Sequence, residues 1–541
     1  MSQLPRSNCH SSKNANTWCV FLVLLALPSL AGIATASEIT VTPTTENFGT
    51  ITAGTSKSAT VTLTNTTDST IKVTQVAIYG RGFSLRGLTK PLYLLARESS
   101  SFTVVFNPQT GTASKGGLVV NSNAPDSPER VTLLGSGWTP VNSVVPAQYL
   151  GMALHPEVLT DRVPWPAVPF GSIRLWDSET QWAALNPAEG TYDWTQLDSW
   201  FAIAQQNGKS DILYTFGVVP PWASSKPNDQ TCVSEARPAG SCDPPYDLNP
   251  DGSGTDELWQ DYVTALVNHS AGRIRSFELW NEADIKSEWN GTNAQLVRMA
   301  KDAYSIIKAL DPSALVLTPS SVNAGPNGSI DIWLPTYLAA GGGAYADAVA
   351  FHGYMIPALG LTPEDIANTV DQVTSSLNGA VASKPIWNTE GAWGTDSDLP
   401  NTHLQAGFVA RMYLMQWSKG VSRFYWYQYG STLMGTFWTP AGPDEAEIAY
   451  GQVNDWLVGA TINGPCSATG TIWTCNFTRP GGIQEQAVWD SSKTCTTSCT
   501  TSSYTPALVF TKYADLAGNL TPINPGSTIQ IGAKPILLEN Q

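Results

Sequence analysis

From position 39 to about 134, apolar and polar residues alternate in short runs. They include Ile39-Thr40-Val41-Thr42, Ala59-Thr60-Val61-Thr62-Leu63-Thr64, Ile71-Lys72-Val73-Thr74-Gln75-Val76, Ser101-Phe102-Thr103-Val104-Val105-Phe106 and Val131-Thr132-Leu133-Leu134. A period of two puts every second side chain on one buried face, the pattern of strands. Turn formers such as Asn65-Thr66-Thr67-Asp68 and Asn107-Pro108 separate the runs. Short strands at even spacing predict a β-sandwich over 37–138. No titratable cluster accompanies them, so this segment reads as an accessory or spacer domain.

Residues 139–147 (TPVNSVVPA) have the composition of a linker. Beyond it, strand-like runs alternate with helical ones, which signals βα units and a parallel sheet. Eight strands are predicted, starting near Leu150, Ser172, Asp211, Arg275, Leu315, Ala348, Pro385 and Arg423. Helical periodicity covers 257–269, 294–310, 363–377 and 403–418. Eight such units over 148–459 predict an α/β fold, a TIM (β/α)8 barrel of ~250 residues plus insertions. The Pro- and Asp-rich stretch 225–255 reads as an insertion after strand three. From 460 to 541 short β runs return and predict a small β-domain packed on the barrel.

The first 36 residues read differently. Arg6 and Lys13 precede an apolar run from Cys19 to Leu30, and Ala34-Thr35-Ala36 offers a small-x-small cleavage site. That is the pattern of a signal peptide, and the run falls short of the ~20 residues that span a bilayer. The expectation is a secreted, cell-surface or periplasmic protein with no membrane span after signal removal. Six cysteines remain, in close pairs, as expected for disulfides in an oxidising compartment. Cys232–Cys242 would close one loop. The last four allow three pairings, of which the sequential one, Cys466–Cys475 and Cys495–Cys499, is the expectation. A zinc site lacks Cys-x-x-Cys spacing and a nearby histidine.

Formal charge is −15, or −17 without Arg6 and Lys13. This balance disfavours nucleic acid and anionic membranes as partners. Only 13% of residues are charged while 20 are Trp and 18 Tyr, a composition that suits a secreted protein with aromatic surfaces for sugars.

The candidate chemistry sits at the predicted end of strand four, Phe277-Glu278-Leu279-Trp280-Asn281-Glu282. A second carboxylate ends strand seven, Pro385-Ile386-Trp387-Asn388-Thr389-Glu390. Glu282 and Glu390 lie 108 residues apart. Three βα units between them average about 36 residues, close to the ~31 of a 250-residue barrel. Both would then face the C-terminal mouth, where barrel enzymes hold their chemistry. Two carboxyls are what glycoside hydrolysis needs, about 5–5.5 Å apart for retention and about 6.5–9.5 Å for inversion.

Leu279-Trp280-Asn281-Glu282 and Trp387-Asn388-Thr389-Glu390 resemble the clan A glycoside hydrolases. Phe351-His352-Gly353-Tyr354 and the segment Trp182…Asn186-Pro187…Gly190-Thr191-Tyr192-Asp193-Trp194 are similar to family 39 and its relatives. The resemblance covers 148–460. It implies a retaining β-glycosidase with Glu282 as acid/base, Glu390 as nucleophile and Asn281 on the sugar 2-hydroxyl. It also implies that Tyr354 bonds Glu390 and that Trp426 floors the subsite of cleavage. His352 lies beside them. Arg174 either orients Glu390 or pairs with Asp177. Trp176, Trp222, Trp289 and Trp393 follow strands and are expected along the cleft, with His155 a weaker candidate. Ala283 departs from the family, where many members have Pro. Asn47-Phe48-Gly49, Thr62-Leu63-Thr64-Asn65, Phe106-Asn107-Pro108 and Leu134-Gly135-Ser136-Gly137 resemble the abnormal spindle / choice-of-anchor D modules, which implies that the sandwich over 37–138 is an immunoglobulin-like β-sandwich.

The expected partner is a polysaccharide or oligosaccharide, xylan-type sugars among the options. Neither a cofactor nor a metal is called for: the chain has no Walker loop, no dinucleotide fingerprint in a βα context and no His-Glu-x-x-His helix. Two other readings stand beside this one: an endoglucanase or xylanase of another clan A family, and a non-catalytic carbohydrate-binding or adhesion protein.

Overall fold

A computed structural model describes residues 38–53, 55–88, 92–108, 113–138, 144–234, 237–323, 330–431 and 433–540. The predicted signal segment, with Cys9 and Cys19, and linker residues 139–143 lie outside the described residues.

The alternating runs at the N-terminal side form two facing sheets. One orders Ile39–Thr42, Lys57–Asn65, Ser99–Phe106 and Phe83–Arg86. The other orders Thr45–Thr52, Glu129–Trp138, Ala113–Ser122, Ile71–Tyr79 and Leu92–Leu94. β-branched residues dominate the strands, as a pleated, half-buried surface favours. Phe48, Phe83 and Phe106 meet between the sheets, with centroids 4.7 to 5.8 Å apart.

Eight parallel strands form the barrel: Leu150–Leu154, Ser172–Leu175, Ile212–Thr215, Ser276–Glu278, Leu315–Leu317, Val349–His352, Ile386–Gly391 and Val421–Tyr429. They are called strands one to eight below. Each pairs with its chain neighbour, strand one also pairs with strand eight, and the bridges Leu317–Ala348 and Val322–His352 join strands five and six. Leu213, Leu317, Ala348, Ala350, Trp387 and Tyr425 fill the interior. Their alternate neighbours, among them Ile173, Phe277, Phe351, Phe424 and Trp426, join the outer core under the helices. This parity decides which residue at each strand end reaches the mouth.

One expectation about the strands needs correction. Strand four ends at Glu278, so Glu282 sits four residues beyond it, on a loop. Asn281 N–H still donates to Phe216 O and Ala283 N–H to Ser320 O, but Glu282 has φ +40°, and left-handed backbone breaks a ladder. The helix predicted over 403–418 runs Thr402–Ser418 and is buried on every side from Gln405 onward. The C-terminal sheet covers its outer face: Trp489 Nε1 donates to Glu364 Oε1 at 2.7 Å, and that carboxylate ion-pairs with Arg411 of the helix. The sheet strands Ile472–Arg479, Ile483–Asp490 and Ile536–Glu539 share one continuous core with the barrel.

The disulfides Cys232–Cys242, Cys466–Cys475 and Cys495–Cys499 are present, as the sequential pairing predicts. Among the described residues, no helix is long and apolar enough to cross a membrane.

Candidate active site

Inward parity on strand two delivers Arg174 to the barrel mouth, wholly buried. Its guanidinium organises the site. Nε donates to Glu278 Oε2 at 3.0 Å, Nη1 to Glu390 Oε2 at 2.6 Å and Nη2 to Asn281 Oδ1 at 2.9 Å. Arg174 therefore orients Glu390, and Asp177 has a different partner, the Tyr427 hydroxyl at 2.6 Å. A planar fork of donors suits two carboxylates and an amide at once.

Glu390 reaches the mouth because strand seven is irregular. Its register against strands six and eight shifts around Asn388 to Gly391, so Thr389 and Glu390 both turn inward. Thr389 Oγ1 donates to Glu278 Oε1 at 2.8 Å, and Tyr354 donates its hydroxyl to Glu390 Oε1 at 2.5 Å. Both Glu390 oxygens thus accept a donor.

Glu282 lies opposite. His352, at the end of strand six, places Nδ1 2.8 Å from Glu282 Oε1 and 3.7 Å from Glu390 Oε2. One carboxylate oxygen of each glutamate and a ring nitrogen of His352 all fall within 4.8 Å of one another. Such a trio has the spacing of metal ligands, but both Glu390 oxygens are bonded and Arg174 supplies a fixed positive charge there. The left-handed backbone of Glu282 is a strain of a kind found at functional sites.

Burial raises the Glu278 carboxyl, but Arg174, His352 and Thr389 more than reverse this and hold it at about 2. Burial pulls the His352 imidazole down, and Glu390, Glu278 and Glu282 push it up to about 9. For Glu390, burial raises the carboxyl, His352 and Arg174 oppose it, Glu282 adds to it, and the net direction is upward. Charge counting accounts for that direction. Two cations, Arg174 and His352, face three carboxylates, and the surplus negative charge adds to burial in raising Glu390.

The other predicted residues divide. Asn281 is in the site. Trp426 is not: it is fully buried on the outer side of strand eight, stacked on Phe437 at 4.9 Å and bonded to Gly435 O at 2.8 Å. Parity explains the correction, since Arg423, Tyr425 and Tyr427 share the inner face. Tyr427 is the strand-eight aromatic at the mouth, its ring 6.5 Å from Tyr354 in an edge-on arrangement. Trp393 and Trp289 are also buried in the outer core, and Trp222 is half-buried with Nε1 on Asn186 O. Trp176 is buried at the mouth with Arg237 over its ring at 5.4 Å, so that face is already covered.

A cleft of about 980 Å³, lined by His155, Asp177, Glu179, Arg237, Tyr427 and Met434 among others, opens at Tyr427. That size admits a sugar ligand. His155 lines it and also caps the next turn through Nδ1 and Glu157 N–H, at 3.4 Å. Glu278 and Tyr427 were not singled out from the sequence. The inward parity of Ser276 and Glu278, and of Tyr425 and Tyr427, is the signal that would have found them.

Residues 37–129 match the family model described as abnormal spindle-like microcephaly-associated, ASPM-SPD-2-Hydin (ASH). Residues 252–438 match the glycosyl hydrolase catalytic core. No curated protein matches the chain. Among solved structures, a family 39 glycoside hydrolase from the gut symbiont Bacteroides cellulosilyticus WH2 is 15% identical, with 91% of this chain and 98% of that one covered at a TM-score of 0.56. A glucosidase from Croceicoccus marinus is 15% identical over 74% of this chain and 96% of that one, TM-score 0.48. The catalytic domain of GH30 xylanase C from Talaromyces cellulolyticus is 13% identical over 73% and 98%, TM-score 0.46. The barrel is thus similar in sequence to glycosyl hydrolase catalytic cores and in fold to a family 39 glycoside hydrolase, behind a domain of the ASH type.

Proposed function

We propose that the protein is an exported retaining β-glycosidase acting on a polysaccharide or an oligosaccharide derived from one. Glu390 is the nucleophile and Glu282 the acid/base. The observation that carries this reading is the approach of the two carboxylates to within 4.8 Å beside His352, on a barrel that matches a glycosyl hydrolase core. Nearest oxygens this close suit the short spacing of a retaining pair, about 5–5.5 Å between carboxyl groups, rather than the about 6.5–9.5 Å that leaves room for a water.

The roles follow from the donors. Glu390 accepts from Arg174 and Tyr354, which suits an anion. Glu282 meets His352 at Oε1, and in the acid role it delivers a proton from its other oxygen, toward a leaving group. In the first step Glu390 attacks the anomeric carbon while Glu282 protonates the departing glycosidic oxygen. The glycosyl ester removes the charge on Glu390. Glu282, now ionised, takes a proton from the water that attacks the same carbon and frees Glu390. The three disulfides support export, since such bonds persist in oxidising compartments.

A panel of aryl β-glycosides and polysaccharides, xylans included, tests the reading against Glu390→Ala. Turnover by the wild type and none by the variant is expected. A variant at near wild-type rate overturns the nucleophile assignment.

A further inference from the structure

The disulfide Cys232–Cys242 closes a loop between strand three and the helix Glu257–Ser270. That loop grips the segment that follows Glu282. Asn290 N–H donates to Cys242 O at 2.8 Å, and Asn290 Nδ2 to Asp229 Oδ2 at 3.2 Å and Asp243 Oδ1 at 3.1 Å. Arg237, inside the closed loop, ion-pairs through Nη1 with Glu288 Oε1. Glu288 is nearly buried, and its other oxygen accepts from Asn281 Nδ2 at 3.4 Å. Asn281 Oδ1 accepts from Arg174, which holds Glu390. A hydrogen-bonded chain therefore runs Arg237–Glu288–Asn281–Arg174–Glu390.

We infer that Arg237 and Glu288 are positioning residues that fix the side-chain amide of Asn281 in one orientation for the sugar. The inference rests on the glycosidase reading of Glu282 and Glu390. An amide turned by 180° exchanges a donor for an acceptor. Arg174 requires the oxygen on its side, and the Glu288 carboxylate requires the nitrogen. Only one orientation meets both demands, and it leaves the second Nδ2–H for a sugar hydroxyl. Glu288 on its own would be a costly buried charge, and Arg237 balances it. The disulfide keeps Arg237 at that place.

The brace also sets local charge. Beyond Asn281 stand Arg174 with its partners Glu278 and Glu390, and His352 with Glu282, while Lys226, Asp229 and Asp243 lie around Asn290 on the stapled loop. Arg237→Gln leaves an extra anion beside the carboxylate pair, and Glu288→Gln leaves an extra cation. An added anion favours the protonated carboxyls, and an added cation the ionised ones.

The test measures kcat, KM and pH profiles for Arg237→Gln, Glu288→Gln, the double variant and Arg237→Lys. Each single variant is expected to lose kcat on the order of 10- to 100-fold, as misplacement of a positioning group does. Both limbs of the profile move to higher pH in Arg237→Gln and to lower pH in Glu288→Gln. The double variant returns the limbs to the wild-type pH, and Arg237→Lys restores part of kcat. Wild-type kinetics in both single variants, or limbs that move the same way in both, overturn the inference. Crystal structures of the single variants give a readout that needs no turnover. The Asn281–Arg174 contact at 2.9 Å is expected to open or the amide to turn over, and an unmoved Asn281 overturns the brace. A wild type inactive on every sugar counts against the proposed function alone, because the crystallographic comparison still decides the brace.

Discussion

Tyr354 donates its hydroxyl to Glu390 Oε1 at 2.5 Å, and this bond favours the ionised carboxylate. Tyr354→Phe removes that support and raises the Glu390 carboxyl further. The acid limb of the rate profile, set by ionisation of the nucleophile, should therefore move to higher pH. A kcat loss on the order of 10- to 100-fold is expected, the usual scale for a misplaced catalytic group. Steady-state kinetics from pH 4 to 8 check both outcomes.

Glu282→Ala separates the two chemical roles. A poor leaving group needs the proton and a good one does not. Turnover of natural sugars should fall by about 10²–10⁴, while aryl glycosides with acidic leaving groups still form the glycosyl-enzyme and accumulate it. Added azide should then release glycosyl azide of retained configuration. Equal losses on both substrate types would remove Glu282 from the acid role.

Stability should depend on pH from both sides of the same cluster. Glu278 is held at about 2, below its ordinary 4.5. Its contribution is full above pH 4.5 and disappears as pH falls toward 2. His352 is held at about 9, above its ordinary 6.5. Its contribution is full below pH 6.5 and disappears as pH rises through 9. Each amounts to roughly 3 kcal/mol when complete. Thermal melting should be highest between about pH 4.5 and 6.5, and His352→Asn should flatten the alkaline side and, by removing one of the groups that hold Glu278 low, shrink the acid side as well.

Trp426 and Tyr427 are neighbours with opposite duties. Trp426→Ala opens a cavity among Phe437, Trp393 and Phe408 and should cost about 3–5 kcal/mol of stability. Tyr427→Phe loses the bond to Asp177 at the cleft wall and should change KM while melting stays close to wild type. The reverse pattern would return Trp426 to the sugar site.

Much of this was legible in the chain. The switch from period two to alternating β and α runs marks the sandwich and all eight barrel strands, because burial on one face or two leaves a direct trace in apolar spacing. Glu390 was legible as a polar end to an apolar run. Glu278 was not, because a buried carboxylate looks like a misplaced polar residue until Arg174 is seen beside it, 104 positions away. Four aromatics in a row, Phe424-Tyr425-Trp426-Tyr427, hide the alternation that separates wall from cleft. The brace from Arg237 joins loops with no local signal, and the buried outer face of helix Thr402–Ser418 reflects a domain that only folding brings against it.

The stereochemistry of hydrolysis tests the central claim most directly. The anomer first released from a β-glycoside can be followed by proton NMR before mutarotation. Two carboxylates within 4.8 Å that act as nucleophile and acid/base predict the β anomer. First release of the α anomer would contradict that account.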